Sequence, residues 1–195
     1  QLIGLLENGI LPMNQIGVYH GDIKEGNILF NLNTQRIGLI DWGLSFSTNS
    51  KNAKIPKLLK NKPLQYNLPF SIILFNSIFD KKYKEFLKTN SLDYKSSLRI
   101  FLTDFVDEWI EKRGEGHLEV IEDLWSTVSN EKNTDVIQTY IVPYLMDILR
   151  EFTYNGKFNK RYYFNKVFLP NLDIWGFLMS YSTVLEDNTF NKGQF

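Results

Sequence analysis

The chain has 195 residues, 43% of them hydrophobic, with 22 basic and 22 acidic side chains and no cysteine. That length suits one domain with a sizeable core, and zero net charge removes any global electrostatic argument for a nucleic-acid or anionic-membrane partner. No apolar run approaches the roughly 20 residues of a membrane span. Without cysteine, neither a disulfide framework nor a cysteine zinc site is open to it, and the composition suits a reducing, intracellular compartment.

In chain order, Leu2, Ile3, Leu5, Leu6 and Ile10 predict a helix that Gly9 and Pro12 weaken at its end. Three short apolar runs follow, 17–19, 28–30 and 37–40, which read as strands between turn-forming residues. Residues 44–67 are polar with little periodicity and read as a long loop, a length that is uncommon without a functional reason. In the second half, Leu98, Phe101, Phe105, Trp109 and Ile110 recur at helical spacing, as do Leu118, Ile121, Leu124, Trp125 and Val128. A third stripe runs from Val136 to Phe152 with a kink expected at Pro143. Pro170 precedes a last helix through Ile174, Phe177 and Tyr181. These stripes are core-packing patterns.

One stretch carries chemistry: His20-Gly21-Asp22-Ile23-Lys24-Glu25-Gly26-Asn27, followed by Asp41-Trp42-Gly43. If 28–30 and 37–40 pair as a hairpin about Thr34, Asn27 and Asp41 are equally far from its centre and emerge side by side at the open end. An amide oxygen and a carboxylate are hard ligands of the kind Mg²⁺ bound to phosphates accepts. Asp22 and Lys24, on the loop entering the first strand, add a carboxylate for an acceptor hydroxyl and an ammonium for phosphate. Such a set performs phosphoryl transfer by positioning and electrostatics.

These residues resemble the catalytic and metal-binding loops of the protein kinase superfamily, His-Arg-Asp-x-Lys-x-x-Asn followed by Asp-Phe-Gly. The resemblance implies ATP and Mg²⁺ as cofactors. Asp22 would then accept the proton of the attacking hydroxyl, Lys24 steady the transferred phosphate and bind nucleotide, and Asn27 and Asp41 hold the metal. Leu29 would lie beneath the adenine, with His20 and Gly43 as structural support. Residues 1–15 resemble the helix leading into the catalytic loop, and 44–71 take the place of the activation segment. Asp173-Ile174-Trp175 resembles the Asp-x-Trp opening the central C-lobe helix, whose Asp braces the catalytic loop. Its position would equally suit an acidic residue at a helix N-terminus.

The expected fold is mainly α with a small β-hairpin, the C-lobe of a two-lobe α+β kinase. Residues 1–80 would carry the catalytic elements, 81–168 a helical insertion or divergent C-lobe helices, and 169–195 the central helix and tail. The Pro63–Phe70 segment adds a resemblance to kinase-like proteins of large DNA viruses, which would place the protein in host cytoplasm. Departures are as informative. Gly21 replaces the Arg that pairs with an activation-loop phosphate, which predicts no phospho-switch, so Ser45, Ser47, Thr48 and Ser50 read as solvated. Trp42 replaces Phe, no Ala-Pro-Glu follows, and residues 1–195 contain neither a Gly-rich loop nor a strand Lys with its Glu partner. The expectation is a C-lobe fragment, weak alone, whose partner is the N-lobe of the same parent chain.

Lys51, Lys54, Lys57, Lys60 and Lys62 form an acid-free run that would attract an acidic protein substrate, or simply be solvated. Asp104, Asp107, Glu108, Glu111, Glu115, Glu119, Glu122 and Asp123 read as a solvated helix face, and His117 as a lone surface or capping residue. A Ser/Thr protein kinase is the leading reading, which Lys24 and Asp173-Ile174-Trp175 favour. A small-molecule phosphotransferase of the aminoglycoside or choline kinase kind shares His-Gly-Asp and Ile-Asp-Trp. A pseudokinase scaffold is opposed by the intact Asp22, Lys24, Asn27 and Asp41.

Overall fold

Three prolines set the style of the helices. The computed structural model describes residues 2–48, 52–89, 94–129 and 134–181. Residues 2–15 form α1, in which a π turn, Leu6–Ile10, separates the α-helical Leu2–Leu5 from Leu11–Gln15. The helix therefore runs through Pro12 to Gln15. Proline lacks an N–H and its ring crowds the preceding turn; the wider i→i+5 turn just upstream accommodates both. Pro143 follows the π turn Ile137–Ile141 in the same way, and Pro170 follows Phe164–Phe168.

After α1 the chain makes β1 (Val18–Tyr19), the hairpin β2 (Ile28–Asn31) and β3 (Arg36–Leu39), and β4 (Phe46–Ser47), which pairs antiparallel with β1. The hairpin register differs from expectation by one residue. Ile28 pairs with Leu39 and Asn31 with Arg36, so Asn27 stands opposite Ile40, whose N–H donates to the Asn27 carbonyl at 3.0 Å. The turn decides this. Asn31 Oδ1 accepts from the N–H groups of Asn33 and Thr34, each at 3.0 Å, and Gln35 closes the loop at φ 55°.

Within the expected loop, the described residues 44–48 and 52–67 are packed on the core. Besides β4 they form a 3-10 turn, Lys57–Leu59, and bury Ala53, Leu59, Leu64 and Tyr66. Their apolar anchors are spaced too irregularly to show a period. Ser50 and Lys51 lie outside the described residues. Helix α2 (Ser77–Thr89) was not legible as a stripe; buried Asn76 starts it by accepting from Phe79 N–H at 2.7 Å. Helices α3 (Tyr94–Arg113) and α4 (Leu118–Ser129) coincide with the first two stripes. The third is α5, residues 137–152, ending in the hairpin β5 (Thr153–Tyr154) and β6 (Lys157–Phe158). The last helix, α6, spans residues 160–179 and begins at Lys160, well before Pro170. Residues 182–195, the expected tail, lie outside the described residues.

The fold is mainly helical with small antiparallel sheets. Its main core is drawn largely from residues 53–179, with Phe75, Phe79, Tyr83, Phe105, Trp109, Tyr163, Phe164 and Phe168 buried together. Each large apolar side chain so buried contributes roughly 1.5–3 kcal/mol, so residues 81–168 share the core of their neighbours. A smaller cluster of Leu5, Ile10, Ile23 and Phe177 seats α1 and the inner face of the β2–β3 hairpin on α6. The loop 20–27 lies over that junction. No helix among the described residues is long and apolar enough to cross a membrane.

Candidate active site

Asp173 holds the loop at its base. It lies within α6, not at the helix N-terminus, and is 1% exposed. Its Oδ2 accepts from His20 N–H at 2.9 Å and from Asn14 Nδ2 at 2.8 Å, and its Oδ1 from Gly21 N–H at 2.9 Å. One buried carboxylate thus ties α1, α6 and the loop backbone together. Charge-assisted bonds of this kind are about twice as strong as neutral ones.

Gly21 is required where it stands. Its φ is +74°, and a Cβ there would sit 2.9 Å from the Leu44 carbonyl oxygen. The side chain that the kinase pattern carries at this position has no room, which is the physical reason for the departure. Gly176 is equally constrained: a Cβ would stand 2.4 Å from Ile23 O and 3.1 Å from Asn67 O. Gly176→Ala is therefore expected to push the loop off the helix and destabilise the fold by about 1–3 kcal/mol, read as a lowered urea midpoint.

Asp22, 8% exposed, is gripped at both oxygens. Lys24 Nζ donates to Oδ2 at 2.9 Å and Asn27 Nδ2 to the same atom at 3.2 Å, while Asn67 Nδ2 donates to Oδ1 at 2.8 Å. Asn27 also donates to the Asp22 carbonyl at 2.9 Å. A carboxylate has about four acceptor positions, so three donors orient it and leave one for an incoming hydroxyl.

Asn67 is the member that the sequence reading missed. It is 1% exposed and is presented by residues 62–67, which three elements clamp. Trp109 Nε1 donates to Lys62 O at 3.0 Å, His117 N–H to Leu64 O at 2.9 Å, and Trp175 Nε1 to Tyr66 O at 2.9 Å. The Tyr66 hydroxyl donates to both Glu25 oxygens, at 2.9 and 2.8 Å. Burial first, then Glu25, pushes the Tyr66 phenol well above its usual range, so it remains a donor. The helices between α2 and α6 therefore shape the site from behind.

His117 is not a lone surface residue. Its ring packs on Tyr66 with centroids 5.2 Å apart, and its buried Nδ1 has no hydrogen-bond partner among the described residues. Gly116, at φ +63°, lets the turn close, since a Cβ would meet Leu64 O at 2.1 Å. Burial and the Lys24 ammonium hold the imidazole below its ordinary 6.5, against opposite pulls from Asp22 and Glu25. The folded chain therefore binds this proton less readily than the unfolded chain. Its stability is full above about pH 6.5 and falls as pH drops through the folded value. Wild type is expected to lose more of its urea midpoint between pH 7.5 and 5.5 than His117→Gln does.

The second loop is linked through His20. A carbonyl only accepts, so His20 Nε2 carries the hydrogen it shares with Ile40 O at 2.9 Å, and the ring lies 4.8 Å from that of Trp42. The Trp42 indole donates to Leu39 O at 3.1 Å. Asp41 takes a left-handed backbone, φ 59° and ψ 67°, with Oδ1 accepting from Gly43 N–H at 3.4 Å. A Cβ on Gly43 would stand 3.3 Å from that oxygen, so glycine keeps the carboxylate clear. Asp41 is exposed and makes no hydrogen bond to Asn27 among the described residues; the two are joined only through the bond from Ile40 to Asn27. Direct pairing of the two, expected from a hairpin centred on Thr34, does not occur, because the register is one residue shorter and Asp41 leaves the strand.

The remaining sequence candidates lie outside the 20–27 and 41–43 loops. Leu29 is 54% exposed on the hairpin, opposite Gly38. Ser45, expected as solvated, donates to Trp42 O at 2.7 Å. Lys54, Lys57 and Lys60 are exposed, and Lys62 is half-buried. Among the described residues no group of three or more His, Cys, Asp or Glu side chains converges as a metal cluster. Comparison with protein-family models, curated proteins and solved structures finds no match to this chain.

Proposed function

We propose that this chain carries the transfer site of an ATP- and Mg²⁺-dependent phosphotransferase acting on protein Ser/Thr hydroxyls, built as a protein kinase C-lobe. The observation that carries the reading is Asp22, a buried carboxylate fixed by Lys24, Asn27 and Asn67 in a loop pinned by Asp173. Phosphoryl transfer asks for this kind of positioning more than for covalent chemistry. Asp22 orients the acceptor hydroxyl and takes its proton as the oxygen attacks. Lys24, one-third exposed, supplies an ammonium beside that carboxylate for the transferred phosphate.

The donor set fits a hard cation. Asn27 offers an amide oxygen, its nitrogen being spent on Asp22, and Asp41 an exposed carboxylate. Mg²⁺, when bound, would neutralise phosphate charge. Leu29, facing a glycine with no side chain across the hairpin, presents a flat apolar surface suited to a purine. Leu29, Ile40 and Trp42 are all exposed, the apolar strip that an ATP-holding N-lobe of the parent chain would cover.

The test is γ-phosphate transfer from ATP by the protein with its natural flanking sequence, offered mixed proteins and a panel of amino-alcohols. Labelled Ser or Thr supports the reading. Labelling of small alcohols alone transfers it to the small-molecule phosphotransferases, which the side-chain-free, left-handed Gly21 favours. A folded protein that labels neither supports the scaffold reading.

A further inference from the structure

A cleft of about 590 Å³ lies between α2 and the β5–β6 hairpin, far from the loop just described. Its size falls in the range of ligand pockets. The floor is apolar, made by Phe79, Tyr83 and Phe158, all buried, with Leu87 at the edge. The rim is cationic. Lys84 comes from α2, Lys157 from β6, and Lys160 and Arg161 from the start of α6. The one carboxylate, Asp80, is neutralised within the cleft, because Lys160 Nζ donates to both its oxygens at 2.7 Å. Lys84 and Lys157 are exposed and have no ion-pair partner among the described residues. On a chain of zero net charge this is a local, uncompensated positive patch over an apolar floor.

We propose that this cleft docks an acidic peptide segment that carries an aromatic or aliphatic anchor. The cations stand on three different elements around the floor and do not converge on one point, which suits spaced carboxylates along a chain better than a single small anion. Placement supports a role in substrate capture. Lys160 and Asp173 lie 13 residues apart on α6 (173 − 160), which at 1.5 Å per residue is about 20 Å. An extended chain covers that span in about six residues. The docked segment would thus belong to the acceptor protein, several residues from its hydroxyl. That role rests on the phosphotransfer reading; the binding itself does not.

The experiment is fluorescence anisotropy of a labelled Glu-Glu-Leu-Glu-Phe-Glu peptide with the chain, without ATP. Binding is expected to weaken steeply with salt. It should fall at least roughly tenfold in Lys84→Glu/Lys157→Glu, two surface changes that leave the circular dichroism intact, and less in the Lys→Gln pair. Equal binding by the Lys→Glu pair, or by a peptide with Leu and Phe replaced by Ser, overturns the proposal. So does displacement by equimolar inorganic phosphate, which would mark a small-anion pocket. Peptide that binds Asp22→Asn as tightly as wild type, while the folded protein with its natural flanking sequence transfers no phosphate from ATP in a separate assay, upholds the docking and sinks the phosphotransfer reading alone.

Discussion

Asp22→Asn is expected to lower γ-phosphate transfer by roughly 10²–10⁴-fold, the usual contribution of a positioned general base. The change is isosteric, but an amide cannot take the acceptor's proton. It also turns an N–H₂ toward donors that now have a carboxylate: Lys24 and Asn27 on one side, Asn67 on the other. The loss should fall in kcat, with a stability cost of about 1–3 kcal/mol from the unmet donor that leaves the protein folded because Asp173 still holds the loop. Asn67→Ala separates orientation from chemistry. It removes one of three donors and leaves the carboxylate, so the rate should fall less than in Asp22→Asn. A folded Asp22→Asn protein that transfers phosphate at the wild-type rate would show that this carboxylate is not the base.

The largest stability effect is expected at Asp173. Asp173→Ala strips the acceptor from His20 N–H, Gly21 N–H and the Asn14 amide at once, in a place that is 1% exposed. Each buried donor left unmet costs about 1–3 kcal/mol. Partial relaxation of the loop should bring the total to about 3–4 kcal/mol, measured as a drop in urea midpoint at constant slope. Asp173→Asn, which keeps one oxygen, should cost less. A loss under about 1 kcal/mol in the alanine variant would mean that the loop holds its shape without this brace, and the link between α6 and the site would lapse.

Much of the site was readable because it is local. His20, Asp22, Lys24 and Asn27 sit within eight consecutive positions, and a short loop entering a strand leaves them few ways to point. The amphipathic stripes of α3, α4 and α5 were readable for the same reason, since a helix writes its buried face into neighbouring turns. Asn67 and His117 were not. Neither has a local signature, and both reach Asp22 or its neighbours only because Trp109, Trp175 and the 114–117 turn clamp residues 62–67. The hairpin register failed by one residue through a side chain, Asn31, that tightens the turn, a choice invisible to symmetry about a centre. The early start of the last helix was missed because a π turn ahead of Pro170 was needed to carry the helix past that residue.

By itself, then, the sequence determined what depends on close neighbours: a mainly helical chain, the hairpin after residue 27, and a loop that concentrates a carboxylate, an ammonium and an amide. Distant residues decided the rest. Asp173 came onto the loop backbone, Gly176 against Ile23, and Asn67 onto Asp22 only when α6 and the helices behind it closed on one core. The physical reason is that a short loop lacks enough contacts of its own to offset the entropy of holding one shape. Its geometry is set by the buried hydrogen bonds that the surrounding fold supplies.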